Sequence, residues 1–346
     1  MTPLVVRALA LAVPLVLAAS LALAASPELV VEVGGPAEDP AYLPVHAAQA
    51  FGTLEAEGVA VTLRRVKHAA DALTGLRVGR ADVAVTTLDQ AVRGAWARGT
   101  AVRVLLAHTR APGAALLVSP KHRDRITRVE DLRGQRVGIP GPGTTGHLVL
   151  LALLAARRLE PSQLDLVSAG GATLAARLAE GTFVAAVVEE PWLSRILAAG
   201  AGEVRLDFRS AEDAVRHLGG PFYEVVSVAR ADSKALARLE PALAGFVRAV
   251  VRVQTWLAAT PPEEVADTLP PDLVPSRERL VARLAVARSA FTPGGEATEA
   301  GLAATLRVLQ AGSPWPVTLK LTPRDLREPA FVTAARSRLG PIPVPP

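Results

Sequence analysis

Two neighbouring stretches decide the fold: VEDLRGQRVGIPGPGTTGHLVLLALLAARRLEPSQLDLVSAGG, Val129 to Gly171, and AAVVEEPW, Ala185 to Trp192. In the first, a short strand, Arg136–Ile139, feeds a glycine-rich turn, Gly141–Gly146. The turn opens an apolar helix read from Leu148 to Arg157. In the second, the apolar strand Ala185–Val188 ends in Glu189-Glu190-Pro191-Trp192. Both turns fall at the carboxyl ends of strands in one sheet, where open α/β sheets hold their ligands.

Working outward, strands read at 29–33, 59–66, 82–86 and 102–108 alternate with helices at 44–51, 70–78 and 89–98. After a strand at 114–119 and a polar interruption at 120–128, a second βα series occupies 136–199, and a further strand is read at 223–229. Alternation of this kind implies parallel sheets with right-handed crossovers. Beyond residue 230 the pattern is helical: 232–239, 241–259, 262–269, 277–288 and 296–310. The proline-rich end from Gly312 is expected to wrap the surface. No segment after the amino terminus is read as long and apolar enough to span a bilayer.

The amino terminus has the layout of a secretory signal peptide: Arg7 as its only charge, an apolar run from Ala8 to Leu21, and small residues at Ala22-Leu23-Ala24. Cleavage after residue 24 and a location outside the cytoplasm are expected. The chain has no cysteine, which excludes a thiol nucleophile, a cysteine zinc site, disulfides and a lipid-bearing cysteine. Despite a sequence pI of about 10.2, the net charge is only +5 and the basic residues are scattered. A nucleic-acid interface needs them striped or clustered, so none is expected. The six histidines show no H-x-x-x-H or H-E-x-x-H spacing, and no metal or other cofactor is expected.

Gly141 to Gly146 matches G-x-G-x-x-G, but Pro142 sits in the turn and no acidic residue ends the next strand, so a dinucleotide site is set aside. The first turn of the helix, with the Thr144 and Thr145 hydroxyls, can bind a polar or anionic ligand group, or the threonines can simply cap the helix. Glu189 and Glu190 should point to opposite faces, one to the cleft and one to solvent. Lys67 and His68 follow one strand, and Thr86 and Thr87 end another. All four are candidate ligand contacts.

The DLRGQRVGIP segment, Asp131–Pro140, the Gly/Thr turn and the EPW turn resemble the substrate-binding proteins of bacterial ABC importers, in the sulfonate/taurine/nitrate and NMT1/THI5-like branch. The resemblance spans roughly residues 28–335. It implies the type II periplasmic binding fold: two α/β lobes joined by two hinge strands, 114–119 and 223–229. Residues 25–113 with 225–346 would form the first lobe and 114–224 the second.

The resemblance also implies ligand contacts at Tyr42, Gly143, Glu190, Trp192 and Tyr223, and a freely diffusing periplasmic monomer. That monomer would deliver its ligand to permease and ATPase subunits encoded elsewhere. The extra carboxylate Glu189 suits a small organic ligand with amine donors, aminosulfonate- or pyrimidine-like, over nitrate. Two other roles remain open in the resemblance. One is a ligand sensor for a signalling receptor. The other is a pyrimidine-precursor synthase, which in this branch carries a cysteine-rich iron motif that this chain lacks.

Overall fold

The computed structural model describes residues 28–312 and 320–338. The expected signal peptide lies outside the described residues. Ten strands form two five-stranded sheets. The first contains β1 (Leu29–Val33), β2 (Val61–Arg65), β3 (Val83–Thr87) and β4 (Val102–Ala107). The second contains β5 (Ala114–Val118), β6 (Arg136–Ile139), β7 (Asp165–Ser168), β8 (Ala185–Glu189) and β9 (Glu203–Asp207). The chain then returns to the first sheet with β10 (Val225–Arg230).

The two sheets share one plan. Their orders are β2-β1-β3-β10-β4 and β7-β6-β8-β5-β9. In each, three parallel strands are followed by one that arrives from the other lobe and pairs antiparallel on both sides. The sheets are therefore mixed rather than wholly parallel. β5 and β10 each arrive from the other sheet rather than by a crossover within their own, so nothing forces them parallel. The crossings themselves are the short segments 108–113 and 219–224, and most of the two expected hinge strands, 114–118 and 225–229, lies within the sheets.

Three readings change. Ser233–Ala259 is one helix with Pro241 inside it, not two. It is long and apolar enough to cross a membrane by length and composition, yet two-thirds of its apolar window is buried in the fold. β9 and the helix Ala211–Leu218 were not read from the sequence. The carboxyl-terminal region does more than wrap the surface: Pro329–Arg338 is a helix that buries Phe331, Val332 and Ala335 against the long helix and β4.

The helix read from Leu148 begins three residues earlier, as Thr145–Ala156. Its apolar residues surround it because it is covered twice, by the second sheet and by the helix Glu299–Gly312 of the first lobe. Leu148 is thereby buried in the first lobe's core beside Leu302, Leu306 and Leu309.

Candidate functional site

A cavity of about 470 Å³ lies between the two sheets and takes its walls from both lobes. From the first lobe come the 39–42 loop, the start of the Ala69–Arg77 helix with His68, the end of β3 with Thr87 and Asp89, and Glu224 just before β10. From the second come Pro142–Thr145 after β6, Glu189 and Glu190 at the end of β8, and Arg209 after β9. Arg283, Val286 and Ala287 reach in from the Arg277–Ala287 helix. The volume suits a small organic molecule.

Strand ends set the positions of the acids. β3 stops at Thr87, whose hydroxyl donates to Asp89 Oδ1 at 2.5 Å, and Gln90 Nε2 donates to Asp89 Oδ2 at 3.1 Å. Asp39 Oδ1 accepts the Ala41 N–H at 2.9 Å within its loop. Glu189 Oε1 accepts the Gly146 N–H at 2.5 Å, tying β8 to the first turn of the Thr145–Ala156 helix. Only glycine allows that approach: a Cβ at residue 146 would stand 2.8 Å from Val187 Cγ1 and 3.0 Å from Glu189 Oε1. Glu224 lies over Gly113, in the other crossing, where φ is +59° and a Cβ would come within 3.2 Å of Glu224 Oε2.

The sequence matches the family described as NMT1/THI5 like over residues 39–264. The chain belongs to the NMT1/THI5-like family. No match is found among curated protein sequences. Among solved structures, a Bordetella bronchiseptica RB50 protein superposes with a TM-score of 0.73 at 23% identity, over 90% of this chain and 97% of that one. The periplasmic nitrate-binding protein NrtA of Synechocystis PCC 6803 gives 0.65 at 15% identity, over 91% of each chain. The periplasmic aliphatic sulphonate-binding protein SsuA of Escherichia coli gives 0.61 at 16%, over 77% of this chain and 86% of that one. These similarities fix the periplasmic binding protein fold.

In this NMT1/THI5-like chain the cavity brings together eight of the expected residues: Tyr42, His68, Thr87, Gly143, Thr144, Thr145, Glu189 and Glu190. Four others lie elsewhere. Lys67 is exposed outside the cavity. Thr86 is fully buried and donates to the Ala69 carbonyl at 2.8 Å. Trp192 lies across Gly171 of the neighbouring helix, with Arg195 stacked 4.8 Å from its ring. Tyr223 points into the first lobe's core, its hydroxyl donating to the Glu296 carbonyl at 3.2 Å and accepting the Thr298 N–H at 3.1 Å.

Two further expectations change. Both glutamates line the cavity, because β8 ends at Glu189 and the chain turns there, which ends the alternation that would send one of them to solvent. Glu190 is anchored by Ser194, whose hydroxyl donates at 2.7 Å. The first turn of the Thr145–Ala156 helix is also less open to an anionic ligand than its sequence implied. Glu189 already takes the Gly146 N–H, and Thr144 Oγ1 accepts the His147 N–H at 3.4 Å.

Sequence reasoning missed Asp39, Asp89, Glu224, Arg209 and Arg283. With them the electrostatics become clear. Burial raises the Asp39 carboxyl to about 6, against the Ala41 N–H and the Arg283 charge. Burial likewise raises Asp89, against the hydroxyl of Thr87, and Glu189, against the Gly146 N–H. Glu224 is pushed well above the usual carboxylate range by burial, then by Glu189 and Asp39, with Thr145 from the other lobe opposing. The same field and its own burial hold the Tyr42 phenol protonated.

Proposed function

We propose that this protein is the exported substrate-binding component of an ABC importer. It captures a small polar organic ligand rich in N–H donors and delivers it to permease and ATPase subunits. The observation that carries the reading is the cavity of about 470 Å³, walled by both lobes and lined by carboxylates, hydroxyls and a phenol. The two crossings, 108–113 and 219–224, are the flexible connections of that reading. Residues 25–113 with 225–346 would close on residues 114–224 by bending there.

Ligand contacts on both lobes favour the closed arrangement, so closure is a shift of population and no bond is made or broken. Of the two expected ligand kinds, the amine end of either finds acceptors here, while a sulfonate end would face carboxylates. Arg7, the apolar run and Ala22-Leu23-Ala24 support export through a cleaved signal peptide into the periplasm, where the protein acts as a monomer.

Native mass spectrometry of protein freshly purified from the periplasm tests the proposal. The expected result is a mature chain beginning near residue 25 with an intact small molecule bound. Small-angle scattering should then show a smaller radius with that molecule than after its removal by denaturation and refolding. Chemical conversion of the molecule, or an unchanged radius at saturation, would contradict the reading.

A further inference from the structure

The cavity gathers more carboxyl groups than cationic side chains. Asp39, Asp89, Glu189, Glu190 and Glu224 all line it. Asp39, Glu189 and Glu224 take part in none of the ion pairs among the described residues, while the charge of Arg93 acts on Asp89 and that of Arg209 on Glu190. Two guanidiniums share the wall. Arg209 is already engaged by Asp207 through Nε at 3.0 Å and Nη2 at 2.6 Å. Arg283 donates Nη1 to the Glu38 carbonyl at 3.1 Å, and its charge opposes protonation of Asp39 without forming an ion pair.

A second observation points to a missing partner. Tyr42 is only 7% exposed, lines the same cavity, and forms no side-chain hydrogen bond with any described residue. Its hydroxyl feels the charges of Asp39, Glu224, Asp89 and Glu189 together. A phenol buried among four carboxylates, with its own hydrogen-bonding capacity unused, is an unfilled place for a ligand group.

The kind of ligand follows from what the walls exclude. No three of the described imidazoles and carboxylates converge closely enough to hold a metal ion, and a cavity of about 470 Å³ is far larger than a bare ion needs. The helix terminus that would seat an anion is occupied by the protein's own Glu189 carboxylate at 2.5 Å. Ala69, Ala70, Ala111 and Val286 supply apolar wall for a carbon skeleton.

We infer that the cavity selects a small organic cation with an amino or guanidino group at each end, one end held by Asp39, Asp89 and Glu224 of the first lobe and the other by Glu189 of the second. This rests on the binding-protein reading and names its substrate class. It also supplies the closure mechanism. In the empty protein, burial and mutual proximity drive the facing carboxyls of the two lobes toward their protonated form, and no attraction draws the lobes together. A cation between them lets those carboxyls ionise and attracts both lobes to it.

The test uses the mature protein with putrescine and agmatine as probes, and taurine, methanesulfonate and nitrate as comparisons. Calorimetry near pH 7.5 should show the cations binding at least about tenfold more tightly than the others. Repeating it in two buffers of different ionisation enthalpy should show proton release, since the carboxylates shed protons to meet the cation. Between about pH 7.5 and 5.5, cation affinity should fall as Asp39, with its carboxyl near 6, takes up a proton.

Glu224→Gln should weaken cation binding by about tenfold or more. It should also raise the melting temperature of the empty protein, because a neutral amide replaces a carboxyl that burial keeps from ionising. A purely structural Glu224 would give a lower melting temperature and unchanged affinity, and that result overturns the inference. So does failure of both cations to bind. If taurine or methanesulfonate binds best and contracts the protein in scattering, the importer reading stands and the cation inference falls. If a cation binds and is chemically converted, the cation inference stands and the importer reading falls.

Discussion

Asp39 shows how a single buried carboxyl writes itself into stability. Its carboxyl titrates near 6 in the folded protein, against 3.8 when free. A folded value above the unfolded one means that folding binds a proton between those limits. Stability is therefore full below the unfolded value and is lost as pH rises through the folded one. Asp39→Asn removes that loss. In the ligand-free protein it should add up to about 3 kcal/mol near neutral pH and almost nothing near pH 4. His108, held neutral down to about 3 by burial, shapes the acid limb of both proteins and cancels in the difference. Urea unfolding of both proteins at the two pH values measures this, and an equal gain at both would contradict it. The residue scale is also where the sequence misled most. Tyr223 and Glu224 are adjacent and face opposite ways, so choosing the aromatic residue selected the core face of the pair and missed the carboxylate at the cavity. Thr86 and Thr87 split in the same manner, one into the core and one into the site.

Among the elements, the junction of β8 with the Thr145–Ala156 helix holds the site in place. Gly146 permits the contact by which Glu189 caps that helix. Gly146→Ala should cost about 1–3 kcal/mol through overpacking against Val187 and displace the Glu189 carboxylate. Denaturant unfolding gives the first effect and ligand calorimetry the second. Full stability with full affinity would show that the contact is dispensable. This junction was legible because strand, glycine turn and apolar helix follow one another in sequence. The long helix Ser233–Ala259 was not. Pro241 removes a backbone donor and normally ends a helix at a cost of about 3 kcal/mol. Here Leu239, Ala242, Leu243 and Phe246 bury on both sides of it in one core, and packing outweighs the local rule. β9 escaped notice for the opposite reason: as a half-exposed edge strand, Glu203–Asp207 carries little hydrophobic signal.

For the whole molecule, the lobes touch away from the crossings where the Thr145–Ala156 and Glu299–Gly312 helices pack together. Leu148 enters the other lobe's core there, and its carbonyl would stand 2.7 Å from a Cβ on Gly312. Leu148→Ala should cost about 2–5 kcal/mol and loosen the lobes, seen as a larger scattering radius in the empty protein. A destabilised variant of unchanged radius would confine the effect to packing. The βα alternation and every strand but β9 could be read along the chain. The strand order could not, because period tells which residues share a face and nothing about which strand lies alongside. That order has a consequence for how the chain is made. All five strands of the second sheet are contiguous between residues 114 and 207, whereas β10 must be slotted between β3 and β4, which precede it by more than a hundred residues. During synthesis the later-starting lobe is therefore complete first. The lobe that begins the chain keeps an open gap in its sheet until residue 230 has emerged. On the export proposed above, that delay leaves the leading lobe's sheet incomplete while the chain is still being made.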